Sequence, residues 1–235
     1  MVDTATAPSG NAWTRLANSN PIMEFIDVTL RGSGQVIFMD NPLTGLLNFV
    51  AMFVGAARGG TSFEVAIGSV IGTMVSTAMA YLLKANRGNL KAGIYGFNGM
   101  LVGACLPTFL AANPLMWLFL VVGSAVSTIV IMAVANFLAP YKMPAFTFPF
   151  VLTCWLIVLY AKKITGLPPS AGGPLPEGGF NFITAGLNSV SQVWFVADWV
   201  AGIIFLVALA VVSMWCFALS GLGAFVGGWI AYAYR

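Results

Sequence analysis

From Ala92 to Tyr141 the chain carries no Asp, Glu, Lys, Arg or His, and from Met143 to Ala161 it again carries none. A soluble helix shows a charged outer face opposite its apolar one. Stretches this long without a charge instead need lipid, or other apolar helices, on every side. The remainder agrees: 7% of residues are charged and mean hydropathy is +0.91, against about 25% charged in soluble domains. The chain therefore reads as an all-α polytopic membrane protein, with no segment resembling a separate soluble domain. Its net charge of +3, without a basic run, offers nothing to nucleic acid. Cys105, Cys154 and Cys216 lie in apolar runs and read as packing residues. Residues 1–20 lack the basic start and apolar core of a cleavable signal, so the first span is expected to direct insertion.

Runs long enough to cross about 30 Å of hydrocarbon fall near 42–57, 64–83, 93–111, 114–138, 145–161, 196–214 and 216–234. Two shorter semi-apolar segments, 32–39 and 183–195, each precede a full span and read as re-entrant half-helices. A Pro/Gly-rich stretch separates the two groups. The organisation expected is a polar N-terminal segment 1–30, a first unit 31–161, a linker 162–182 and a second unit 183–235. Counting basic residues puts Arg15, Arg31, Lys84, Arg87, Lys91 and Lys142 on the side of the N-terminus, and Arg58, Lys162, Lys163 and Arg235 on the other. The cluster at Lys84, Arg87 and Lys91 favours a cytoplasmic N-terminus.

The two units repeat one another. Gly34-Gln35-Val36-Ile37-Phe38 with Gly45 matches Ser191-Gln192-Val193-Trp194-Phe195 with Gly202 at the same spacing. In the following span, Gly72, Ser76, Ala80 and Tyr81 match Gly223, Gly227, Ala231 and Tyr232. Small residues every fourth position make a groove that lets helix backbones approach. Five spans separate the copies. That odd number makes the second copy start on the opposite face, giving an inverted repeat with a solute path at its interface.

Inside the spans, ionisable groups normally mark proton relays or ion paths. Their absence from Ala92–Tyr141 and Met143–Ala161 points to a neutral solute, and without His, a metal-ligand cluster or a nucleophile–base pairing no enzyme site can be assembled. No cofactor is expected. The polar residues that remain are carboxamides and hydroxyls. On a helix through Gly93–Gly103, Phe97 and Leu101 share a face, while Gly96, Gly99 and Gly103 gather roughly opposite, with Asn98 between. The glycine face can dock on a neighbouring helix while Phe97 and Leu101 project into a path. Equally, those two can be ordinary packing residues, with Asn98 joining two helices by a hydrogen bond. Gln35 and Gln192 can cap backbone groups or offer a carbonyl and an NH2 to a passing amide. Thr147 follows Pro144 near the start of a span, where it can bond its own helix or face a solute.

Three segments taken together resemble the urea transporter family. They are Gln35-Val36-Ile37-Phe38-Met39-Asp40-Asn41-Pro42-Leu43-Thr44-Gly45-Leu46-Leu47, Ile94-Tyr95-Gly96-Phe97-Asn98-Gly99-Met100-Leu101-Val102-Gly103 and Met143-Pro144-Ala145-Phe146-Thr147-Phe148-Pro149-Phe150. The resemblance implies passive, channel-like transport of urea by an inverted-repeat fold. Its first repeat has five transmembrane helices plus a re-entrant half-helix, and its usual assembly is a homotrimer in the plasma membrane, or the inner membrane of a bacterium. It further implies that Phe97 and Leu101 flank an apolar slot, with Gln35, Val36 and Phe38 on the first half-helix and Gln192, Val193 and Phe195 on the second. Thr147 would be a hydroxyl at the narrow middle, and Gly96, Asn98, Gly99 and Gly103 would support the pore. A second copy of the Gly-Phe-Asn helix, which the family's second half should supply, is not found before Arg235. The second repeat is thus expected to be incomplete, which keeps open a non-conducting fragment or assembly subunit, or a channel for another small neutral amide. Asn41-Pro42-Leu43 and Asn113-Pro114-Leu115 superficially resemble aquaporin signatures, but both precede full spans. Ammonium channels typically use a pore histidine pair, and this chain has no histidine.

Overall fold

A computed structural model describes residues 12–170 and 181–233, with side chains through residue 230. Ala231, Tyr232 and the middle of the expected linker thus lie outside the described residues or side chains. The described chain is helical. Its elements are α1 (Ala12–Ala17), α2 (Pro21–Gly34), α3 (Pro42–Ala57), α4 (Phe63–Leu82), α5 (Arg87–Lys91), α6 (Phe97–Phe109), α7 (Pro114–Leu138), α8 (Phe148–Tyr160), α9 (Phe182–Ser191), α10 (Trp199–Ala210) and α11 (Met214–Ala233). Most starts are written locally. Asn20, Asn41 and Asn113 each cap a helix whose first residue is proline, which supplies the fixed φ and missing N–H that a first turn tolerates.

Among the described residues, Phe63–Leu82, Pro114–Tyr141 and Phe148–Thr165 are long and apolar enough to cross a membrane. Two bent pairs reach that length together: Pro21–Ile37 with Pro42–Ala57 at 75°, and Phe182–Trp194 with Trp199–Ala210 at 71°. Both pairs turn in the same way. Phe38 N–H donates to Gln35 and Met39 N–H to Gly34; Phe195 N–H donates to Gln192 and Val196 N–H to Ser191. Phe38 and Phe195 take left-handed φ values of 60° and 61°, an uncommon conformation for a bulky residue. Under each bend a glycine meets a carbonyl. A Cβ on Gly45 would overlap the Leu30 carbonyl, and one on Gly202 the Leu187 carbonyl.

The half-helix expected over 32–39 begins instead at Pro21. Glu24, Asp27 and Arg31 break the apolar run there, because α2 keeps one polar face on which Arg31 bridges Asp27 and Asp40 at 2.7 and 2.6 Å. The span expected over 93–111 is also shorter. Gly93 has φ 77° and the helix starts only at Phe97, giving α6 a length of 13 residues. Such a helix is too short to cross lipid alone, but every residue from Phe97 to Pro107 is buried by protein, where non-spanning backbone is tolerated at membrane depth.

Helices α3 and α10 pack antiparallel. Thr44 Oγ1 donates to the Ala208 carbonyl at one end, and Arg58 pairs with Asp198 at 2.8 Å at the other. Helix α6 lies against α4, where Cβ atoms on Gly68, Gly72, Gly99 or Gly103 would overlap backbone of the facing helix. Pro107 cannot donate to the Gly103 carbonyl, and that carbonyl rests against Gly68. Hydroxyls hold the next layer: Ser76 donates to the Ser124 carbonyl at 2.7 Å and Thr128 to the Ser76 carbonyl at 3.2 Å. The described start of the linker is pinned to the end of α6, with Ala111 N–H donating to Pro168 at 2.9 Å.

Candidate functional site

The site is organised by a carboxamide on α6. Asn98 is fully buried, its Nδ2 donating to the Phe146 carbonyl at 3.3 Å and its Oδ1 accepting from Phe150 N–H at 2.9 Å. Thr147 stands at the cap position of α8 but makes no side-chain cap bond. Asn98 supplies that cap from another helix. The Thr147 hydroxyl, on a half-buried residue, consequently makes no hydrogen bond among the described residues, so the reading in which it bonds its own helix is not what the structure has.

The two residues that Asn98 holds carry the aromatic contacts. Phe146, itself left-handed at φ 46°, meets Phe38 edge-on with centroids 5.4 Å apart. Phe150 meets Phe195 at 6.3 Å, and Phe195 also meets Phe109 at 6.1 Å. The tips of both bent pairs therefore rest on the entry of α8, one on each side of Thr147 in the sequence. Such edge-to-face pairs are worth about 0.5–1.5 kcal/mol beyond the area they bury.

A cavity of about 610 Å3 opens beside the start of α6. Of the residues singled out in the sequence, Gln35, Phe38 and Phe97 line it, whereas Val36, Leu101 and Thr147 do not. Val36 and Leu101 are buried in the apolar core. Gln35 is 7% exposed and its Nε2 donates to the Ala92 carbonyl at 2.8 Å. Its oxygen is left free to accept. Phe38 is 62% exposed, the ring turned outward by its left-handed backbone. The residues of the second bent pair are not brought to this cavity. Gln192 is exposed, Val193 is 50% exposed, and Phe195 packs at the other end of α6.

Gly96, Gly99 and Gly103 form the docking face expected of them. A Cβ on Gly99 would overlap Ser76 and the Gly72 carbonyl, and one on Gly96 would press on Gly32. Phe97 points to the cavity because the glycines on the other side are taken up by α4 and α2.

Sequence reasoning missed several lining residues. Asn86, Asn89 and Asn136 reach the same cavity from the turn before α5, from α5 and from the end of α7. Only Asn136 left a signal, as a lone carboxamide near the end of an otherwise apolar span. Among the described residues no Asp, Glu, Lys or Arg lines the cavity. The nearby ion pairs, Arg31 with Asp27 and Asp40 and Arg87 with Glu24, are formed outside it. Among the described residues no cluster of His, Cys, Asp or Glu could hold a metal ion.

A family model described as "Urea transporter" matches residues 26–235. Over 131 residues the chain is 34% identical to "Urea transporter 1" of Ovis aries and of Capra hircus, and over 132 residues 33% identical to that of Mus musculus. These matches cover 54–55% of this chain and 33% of each relative. The chain thus spans about a third of the length of the curated relatives it matches.

Proposed function

This chain belongs to the urea transporter family and is a multi-pass helical membrane protein, and we propose that it carries urea passively through an apolar slot flanked by hydrogen-bond acceptors. The observation that carries this reading is the clamp made by Asn98. By fixing Phe146 and Phe150 it brings the tips of both bent pairs onto the entry of α8 and leaves the Thr147 hydroxyl uncommitted. Urea is neutral, flat and rich in donors. Aromatic and aliphatic faces such as Phe38, Phe97 and Leu101 select its thickness, while the Gln35 and Thr147 oxygens replace part of its water. Without such acceptors, stripping an amide of water costs several kcal/mol. Binding has to stay weak for the solute to leave.

The slot is proposed to lie at the interface of two inverted repeats, 31–161 and 183–235, with Gln192, Val193 and Phe195 as the second repeat's contribution. The matching bends, the paired left-handed phenylalanines and the antiparallel α3 and α10 support that arrangement. A homotrimer in the plasma membrane, with a cytoplasmic N-terminus, belongs to the same proposal. It rests on the family resemblance and on the basic cluster Lys84, Arg87 and Lys91.

The test is urea efflux from liposomes containing the purified chain, with no pH or sodium gradient. Efflux is expected to be faster than from protein-free liposomes, and equal rates would reject passive urea transport by this chain.

A further inference from the structure

The asparagines of this protein are used in two different ways. Asn20, Asn41, Asn86, Asn113 and Asn181 cap helices, Asn48 donates to the Ser33 carbonyl, and Asn98 joins α6 to α8. Asn89 and Asn136 are exposed and, like Asn18 and Asn188, make no side-chain hydrogen bond among the described residues; Asn86, also exposed, commits only its oxygen, to Asn89 N–H at 3.1 Å. Asn86 and Asn89 come from the N-cap and first turn of α5 and Asn136 from the end of α7, and all three line the cavity that also holds Gln35, Phe38 and Phe97. Asn136 is the one carboxamide of the apolar helix α7 and is exposed near its end, beside the cavity.

We propose that Asn86, Asn89 and Asn136 form an antechamber that binds a neutral amide before it reaches the Phe38 and Phe97 rings. The proposal rests on the urea reading given above and names further specificity-determining residues for it. A carboxamide offers one acceptor and two donors, the complement of what urea presents. With no charged side chain among its described lining residues, the cavity offers no ion-pair partner to a cation or an anion. At about 30 Å3 per water, a volume of about 610 Å3 admits the solute with part of its hydration shell. Water can then be exchanged for carboxamides one group at a time, rather than all at once at the apolar slot.

The experiment compares the full chain with the double variant Asn89→Leu, Asn136→Leu in liposomes, measuring urea flux against urea concentration. The half-saturating concentration is expected to rise at least threefold, and Asn89→Gln with Asn136→Gln to restore at least half of that shift. An unchanged half-saturating concentration, or a lower maximal rate without such a shift, overturns the antechamber. Failure of the urea reading has its own mark, which is wild-type flux no faster than that of protein-free liposomes. Saturation-transfer NMR from the nanodisc-embedded protein to urea then decides. A signal at least twofold weaker in the leucine variant supports the antechamber, and equal signals reject it.

Discussion

The two bent helix pairs share a turn but not an environment. In each, a left-handed phenylalanine ends a 3-10 turn and a glycine sits beneath a helix carbonyl. Around the first pair, α6 fills the space: Gly99 and Gly103 press into α4 at Gly72 and Gly68, and Gln35 is buried against the Ala92 carbonyl. Around the second pair the matching surface is open. Cβ atoms on Gly221, Gly223 and Gly227 of α11 would meet nothing within 4 Å among the described residues, and Gln192 is exposed. The bend is therefore a property of the local sequence, while burial of the residues it carries is a property of the neighbouring helix.

That contrast is open to direct attack. The largest effect is expected at the grooves, where the same substitution has opposite signs. Gly99→Ala should destabilise the protein by about 1–3 kcal/mol through overpacking, because Ser76 and the Gly72 carbonyl occupy the space. Gly223→Ala, in open space, should be neutral or stabilise by up to about 1 kcal/mol, the helix preference for alanine over glycine. Denaturant unfolding in detergent micelles measures both, and equal shifts would erase the distinction between the pairs.

A smaller difference is expected between the glutamines. Gln35→Leu removes the hydrogen bond to Ala92 and should cost about 1 kcal/mol, whereas Gln192→Leu should stay within about 0.5 kcal/mol. The same unfolding assay ranks them; a Gln192 variant as unstable as the Gln35 variant would mean that the second turn is packed as tightly as the first. Smallest in stability is Thr147→Val, between the contacts of the two tips. Its shape is kept, and it makes no hydrogen bond to lose, so unfolding should shift by no more than about 0.5 kcal/mol while urea efflux slows several-fold. An unchanged efflux rate would remove Thr147 from the proposed path.

Much of this was legible in the residues. The asparagine–proline starts at Asn41-Pro42 and Asn113-Pro114 marked α3 and α7 to the residue, since capping is decided within a single turn. Asn20-Pro21 carries the same signal, but Glu24, Asp27 and Arg31 masked the helix that follows. Hydropathy averages over both faces of a helix, and α2 has one face of each kind. The pore candidates divided for a related reason. Phe97 and Gln35 were recognisable by motif, whereas Asn86, Asn89 and Asn136 are ordinary residues locally and acquire a shared surface only when α5, α6 and α7 come together.

The sequence by itself determined that the chain is a bundle of lipid-compatible helices. Uncharged runs of this length have no other low-energy solvent, and the glycine spacing of α4 and α6 admits close helix contact at those positions. It also placed a short semi-apolar segment before a full span in each unit, and the repeated glutamine-to-glycine spacing marked the two units as alike. The tertiary structure alone decided what each carboxamide does. Asn98 became a cap for a helix, accepting from a backbone N–H 52 residues along the chain, Gln35 a bond to Ala92, and Asn89 and Asn136 exposed groups lining a cavity. A hydrogen-bonding side chain has the same chemistry everywhere, so its role depends on which partner the packed backbone brings within about 3 Å.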